Sequence, residues 1–99
     1  MTINIQYVHM SRSEAMDTYV NKKLEKLGKK YEWVISAEDH FEKENDPSDK
    51  GKICKMELSL PGPRIFAVSN ETTFENAVKK TIKDLQVQLE KRKHTFVRH

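Results

Sequence analysis

Cysteine and glycine are both scarce here, one and three residues respectively in a chain of 99. The lone thiol, Cys54, excludes an internal disulfide and fits a reducing compartment. Three scattered glycines cannot build the glycine-rich loop that cradles nucleotide phosphates. Long apolar runs are missing too, so no segment can cross a bilayer. The opening Met1-Thr2-Ile3-Asn4-Ile5 has no positive region leading into an apolar stretch, so it is no signal peptide and instead has the pattern of a strand. His9, His40, His94 and His99 show no metal-ligand spacing with Cys54 or with one another. The expectation is a cytoplasmic protein that uses neither metal nor cofactor.

What the chain has is charge. Apolar residues make up 36% and charged residues 33%, a mix that suits one folded domain over residues 1–99 with a heavily charged surface. The net charge of +3 is unevenly spread. Residues 11–32 hold six bases against four acids, and residues 72–99 hold seven against three. Residues 33–71 reverse the balance, with five bases and eight acids. Two basic flanks around an acidic middle imply a polyanionic partner for the flanks.

Ile3, Ile5 and Tyr7 alternate with polar neighbours, the period of a half-buried strand. Ser11 and Glu14 form a capping-box pair that would start a helix, and Met16, Val20, Leu24, Leu27 and Tyr31 continue as one apolar stripe. Gly28 falls opposite that stripe. Trp33 to about Phe41 is rich in strand formers, and Asn45-Asp46-Pro47-Ser48-Asp49 signals a turn. Cys54, Met56, Leu58 and Leu60 alternate along a third strand. Pro61-Gly62 suits a type II turn into a fourth strand, Arg64 to Ser69, which could turn inward either Ile65 and Ala67 or Phe66 and Val68. Thr72 and Glu75 make a second capping box, followed by Phe74, Ala77, Val78, Ile82, Leu85 and Leu89 at helical spacing. The fold class is therefore α+β, in the order β-α-β-β-β-α, with both helices on one face of an antiparallel sheet.

Viewed end on at 100° per residue, the first helix separates its charges. Arg12, Lys22, Lys23, Lys26, Lys29 and Lys30 fall within an arc of about 120° on one flank of the stripe, with Tyr19 among them. Glu14, Asp17, Glu25 and Glu32 fall on the other flank. An ordinary solvated helix mixes its signs to form pairs four residues apart. Separation forgoes that pairing, so an external anion accounts for it better. On the second helix Lys79, Lys80, Lys83, Lys91, His94 and Arg98 lie away from the stripe, while Arg92 and Lys93 come nearer to it. Side by side, the two helices would form a basic plateau backed by an acidic sheet edge. Lysines outnumber arginines fourteen to four, which favours contact with phosphate backbone and RNA shape over forked readout of bases. A membrane surface is the competing anion, but the apolar faces of these helices are needed for the core and none is left to insert.

Enzymatic alternatives fare badly. Cys54 sits on the apolar face of its strand, where a buried structural thiol is expected rather than a nucleophile. Asp39, His40 and Glu42 are close in sequence, but an exposed acidic strand end accounts for them. The acidic stretch Glu38 to Asp49 is best explained as a solvated hairpin rather than a cation site. The expectation is a binding protein, not an enzyme, with no small-molecule substrate.

With these elements placed, the sequence resembles the ribosome hibernation promoting factor and ribosome-associated inhibitor A family, also called sigma-54 modulation proteins. Residues along essentially the whole chain carry the resemblance. They are Ile3-Asn4-Ile5; Lys22-Lys23-Leu24-Glu25-Lys26-Leu27 with Tyr31; Lys55-Met56-Glu57-Leu58-Ser59-Leu60-Pro61-Gly62; Ile65-Phe66-Ala67; and Thr73-Phe74-Glu75-Asn76-Ala77-Val78, continuing to Leu85, Gln88-Leu89, Lys91 and Lys93. The family's fold has the same element order, with a four-stranded sheet, and is similar to a double-stranded RNA-binding domain with an added strand. The resemblance implies binding to the 16S rRNA of the small ribosomal subunit, alone or within the 70S ribosome. The site is the groove that otherwise holds mRNA and the anticodon ends of tRNA, so occupancy blocks translation in stress or stationary phase.

Carried over by position, the RNA-binding residues would be Lys22, Lys23, Lys26, Lys29 and Lys30 on the first helix and Lys91 and Lys93 on the second. Family members often have an Asp-Lys pair where this chain has Lys83-Asp84, and an arginine where it has Val87. Here Lys79, Lys80 and Lys83 would supply that charge from neighbouring positions. Long members carry a second, C-terminal domain; this chain is expected to be a short form of the hibernation-factor type. Two other functions stay open at this point, a generic double-stranded RNA-binding module and a modulator of sigma-54-dependent transcription acting by protein contact.

Overall fold

Alternating apolar residues form strands here, and stripes at steps of three and four form helices. The computed structural model describes residues 1–97, in the order β1 (Thr2–Val8), α1 (Glu14–Lys30), β2 (Ser36–Lys43), β3 (Lys52–Ser59), β4 (Ile65–Glu71) and α2 (Phe74–Val97). The four strands make one sheet in sequence order. β2, β3 and β4 pair antiparallel, but β1 pairs parallel to β2, with Ile5 opposite Asp39. The expected all-antiparallel sheet is thus corrected to a mixed one. α1 carries the chain back along the sheet before β2 begins, and a helical crossover is what a parallel neighbour requires.

That crossover fixes the relation between the helices. β1 and β4 run in the same direction, and each feeds a helix. Both helices therefore start at the same end of the sheet and run side by side on one face. They cover a continuous core. Val20, Leu24 and Leu27 of α1 and Val78, Leu85 and Leu89 of α2 pack with Phe41, Met56, Leu58 and Ala67 from the sheet, all buried. Each large side chain so buried contributes about 1.5–3 kcal/mol relative to exposure. On β4 it is Ile65, Ala67 and Ser69 that point inward, leaving Phe66 and Val68 exposed on the open face.

Both helix starts lie later than the capping boxes suggest. Ser13, not Ser11, caps α1, its hydroxyl accepting from the Met16 N–H at 3.2 Å. Thr73, not Thr72, does the same for α2 through the Asn76 N–H at 3.1 Å. In each case the hydroxyl that accepts an N–H three positions on marks the cap, and it is not the one in the Ser/Thr–Glu pair. Arg12 therefore precedes the helix, and it pairs with Asp17 at 2.6 Å instead of joining the lysines. The Tyr7 hydroxyl donates to the Ser13 carbonyl and to Asp17, both at 2.9 Å, tying β1 to the start of α1. Burial first, then the bond to Asp17, raises the Tyr7 phenol to about 12.

β2 also begins later than Trp33. Tyr31 closes α1, and Val34 N–H donates to the Tyr31 carbonyl at 3.1 Å, turning the chain before the strand. Trp33 then packs edge-on between Tyr31 and Phe96, at ring centroid distances of 5.8 and 5.1 Å. The β2–β3 hairpin turns as expected, with the Asp46 carboxylate accepting from the Ser48 N–H and hydroxyl. Gly62, at φ +91°, supplies the left-handed position of the β3–β4 turn. Arg92 of α2 clamps that turn, donating to the carbonyls of Pro61 and Pro63, both at 2.9 Å.

Two expectations about the acidic middle are corrected. β2 is an inner strand, so Glu38, Glu42 and Glu57 lie across the open sheet face, not along an edge. Asp39 does not belong with them, being wholly buried beneath the helices. Its Oδ1 accepts from the Cys54 thiol at 3.4 Å, and its Oδ2 has no partner among the described residues. Burial pushes the Asp39 carboxyl up to about 7, although the Cys54 thiol and a backbone N–H at His40 favour its charged form. Cys54 is buried as expected, and burial followed by the nearby Asp39 drives its thiol far above the ordinary range.

Candidate nucleic-acid interface

The outer surfaces of α1 and α2 meet along a groove. Its upper half is lined by Lys23, Lys26, Leu27 and Lys30 from α1 facing Ile82 and Gln86 from α2. The lower half continues past Lys30 and Tyr31 to Lys83, Val87, Glu90, Lys91 and His94. The floor is formed by the apolar stripes, which bury Leu27 and leave Ile82 half-buried. The walls are lysine stems carrying ammonium groups at the rim.

Two of those lysines are held by rings. The Lys23 ammonium lies over the Tyr19 ring and that of Lys30 over the Tyr31 ring, each 5.5 Å from the centroid. At the end of α1 the Tyr31 hydroxyl donates to Glu90 Oε1 at 2.5 Å. Burial, then this bond, raises the Tyr31 phenol to about 12. The same bond, followed by Lys93, Lys30 and His94, holds the Glu90 carboxyl below its usual value.

Of the ten lysines expected at the site, the groove gathers Lys23, Lys26, Lys30, Lys83 and Lys91. Lys93 is exposed on the last turns of α2, within electrostatic reach of Glu90. Lys22 is exposed on the outer side of α1, and Lys29 lines a separate hollow with Met1, Glu25, Gly28 and Glu32. Lys79 and Lys80 lie near the start of α2, where Lys80 pairs with Glu71 at 3.4 Å. Among the described residues Lys80 is the only one of the ten with a carboxylate at ion-pair distance, so the other ammonium groups are available to an external anion. Gln86 and Tyr31 also line the groove. Neither carries a charge, so a charge pattern along the sequence could not single them out, and only the approach of the two helices reveals them.

Among the described residues no group of histidine, cysteine and acidic side chains could hold a metal ion. No helix there is long and apolar enough to cross a membrane.

A family model for sigma 54 modulation protein / S30EA ribosomal protein matches residues 3–96. The chain belongs to that family. The resemblance drawn from the sequence is thereby borne out. The fold is similar to that of a ribosomal subunit interface protein from Coxiella burnetii, with 24% identity and a TM-score of 0.81 over 94% of this chain and 98% of that one. It is also similar to the N-terminal domain of Protein Y from Thermus thermophilus, at 19% identity and a TM-score of 0.79, covering 92% and 98%. No curated protein matches the chain in sequence at a significant level. These likenesses show a shared fold, which in this chain carries the groove.

Proposed function

We propose that this protein is a non-enzymatic, cytoplasmic ribosome-associated factor that binds the 16S rRNA of the small subunit through the two-helix groove. Docked there, alone on the subunit or within the 70S ribosome, it fills the channel for mRNA and tRNA and blocks translation during stress. The observation that carries this reading is the groove itself, where five lysines from two elements converge without carboxylate partners among the described residues. Family membership and the ribosomal subunit interface protein of similar fold support the same partner. Phosphate contact by lysine needs no reaction and no cofactor; it releases counterions and positions the domain. The family description also names sigma 54, which keeps transcription control by protein contact as the competing reading.

Sedimentation through sucrose at low and raised salt tests the proposal. The protein is expected to travel with small subunits and 70S ribosomes but not with isolated large subunits, and to be released steeply as salt rises. Protein that stays at the top of the gradient at low salt defeats the proposal and turns attention to RNA polymerase.

A further inference from the structure

Among the residues lining the groove there is one carboxylate, Glu90, and it is not free to move aside. The Tyr31 hydroxyl holds its Oε1 at 2.5 Å, and Tyr31 is wholly buried with its ring edge-on to Trp33. Glu90 Oε2 takes no hydrogen bond from the described residues. A fixed negative charge is therefore placed in the lower half of the groove, within reach of Lys93, Lys30 and His94, where a nucleic-acid backbone would otherwise lie unbroken. Like charges brought together at an interface cost affinity, so phosphate is kept from this point. What a carboxylate oxygen can take is a hydrogen bond from an O–H or N–H donor. In a groove that follows the backbone, the donor nearest the phosphates is the ribose 2′-hydroxyl, which DNA lacks.

We propose that Glu90, held by Tyr31, is the residue by which the groove distinguishes RNA from DNA. It repels the phosphates of both and accepts a hydrogen bond from the 2′-hydroxyl of RNA. This inference rests on the proposed RNA-binding role of the groove and adds to it a basis for discrimination. The surrounding lysines attract either nucleic acid, so selectivity has to come from a group that treats the two sugars differently.

The test measures binding of an RNA hairpin and its DNA counterpart at low salt, for the wild type and for Glu90→Gln. Glutamine keeps Oε1 for the Tyr31 hydroxyl, so the fold is preserved, but it turns an amide N–H to the groove in place of the acceptor. The wild type is expected to prefer RNA. In E90Q, DNA binding should tighten and the preference should fall by roughly ten- to a hundredfold, the worth of one hydrogen bond to a charged group. Tyr31→Phe, which keeps the charge but frees the side chain, should lower the preference by a smaller factor. Equal changes in RNA and DNA affinity in E90Q, or no change in either, overturn the role of Glu90 while leaving the RNA-binding role standing. Wild-type protein that binds the two hairpins equally, or binds neither, overturns the discrimination, while the sedimentation experiment decides the ribosomal role separately.

Discussion

Asp39 should make the protein less stable as the pH rises from about 4 to neutrality, against the usual behaviour of carboxylates. The side chain is wholly buried, one oxygen lacks a partner among the described residues, and its only side-chain donor there is a thiol. Its carboxyl rises from an ordinary 3.8 to about 7. The folded state then holds a proton that the unfolded chain has already released. Stability from this group is full below about pH 4, falls between about 4 and 7, and is flat above. Carrying the carboxyl over that range corresponds to about 4 kcal/mol, a large part of the 5–15 kcal/mol typical of a domain. Asp39→Asn keeps the shape and an acceptor for the Cys54 thiol but cannot ionise. Urea unfolding followed by circular dichroism at pH 5, 6, 7 and 8 should show wild-type stability falling by about 2–3 kcal/mol, nearly all of it between pH 5 and 7. The fall should be largely absent in D39N, whose absolute stability drops by about 1–3 kcal/mol because its amide NH2 is buried where Asp39 Oδ2 has no partner among the described residues. The difference between the two proteins isolates Asp39 from the histidines, which titrate in the same range. A wild-type curve flat across this range, or an equal fall in D39N, would refute the assignment of a buried, neutral carboxyl.

Reversing Lys23, Lys26 and Lys30 to glutamate should abolish sedimentation with small subunits while leaving the circular dichroism spectrum unchanged. Reversing Lys22 and Lys29, which lie outside the groove, should weaken binding much less; equal loss in both variants would move the interface to the outer side of α1. Single Lys→Ala changes in the groove should each lower the salt dependence, log K against log salt, by about one. Arg92→Ala should cost about 1 kcal/mol in urea unfolding by releasing the carbonyls of Pro61 and Pro63, with the bonds discounted for their exposure. Cys54→Ser should leave subunit binding unchanged, since the thiol is wholly buried and away from the groove lining; lost binding with the fold intact would reopen a role for it.

The strands and helices were legible because burial imposes a period. Cys54, Met56 and Leu58 alternate because β3 is an inner strand with one face under the helices, and Val20, Leu24 and Leu27 repeat because α1 buries one stripe. The lysine arc on α1 was legible for the same geometrical reason. What sequence could not give was direction and pairing between distant elements. Nothing in residues 2–8 tells whether β1 will lie parallel or antiparallel to β2, because both present the same alternating face. The burial of Asp39 was missed because its neighbours Glu38, His40 and Glu42 suggest a solvated strand. Asp39 occupies the inward phase shared with Ala37 and Phe41, and that alternation was the available signal. The place of Glu90 in the groove has no signal in the sequence, since its bond to Tyr31 spans 59 positions.

Cations near a C-terminus complement the helix dipole, and Lys29 and Lys30 close α1 while His94 lies in the last turn of α2. That accounts for only part of the groove. The dipole effect fades within the last turn, whereas Lys23 and Lys26 lie more than a turn inside α1, and Lys83 lies in the middle of α2. α2 runs for 24 residues against 17 in α1, about 36 Å against 26 Å. The longer helix carries Lys91 and His94 beyond the end of the shorter one, extending the basic lining past Tyr31. Because β1 lies parallel to β2, the two helices point the same way, and the lysines of their middle and later turns fall beside one another. The mixed sheet is therefore the structural cause of the groove: an antiparallel β1 would return α1 in the opposite sense and set Lys23, Lys26 and Lys30 against the start of α2.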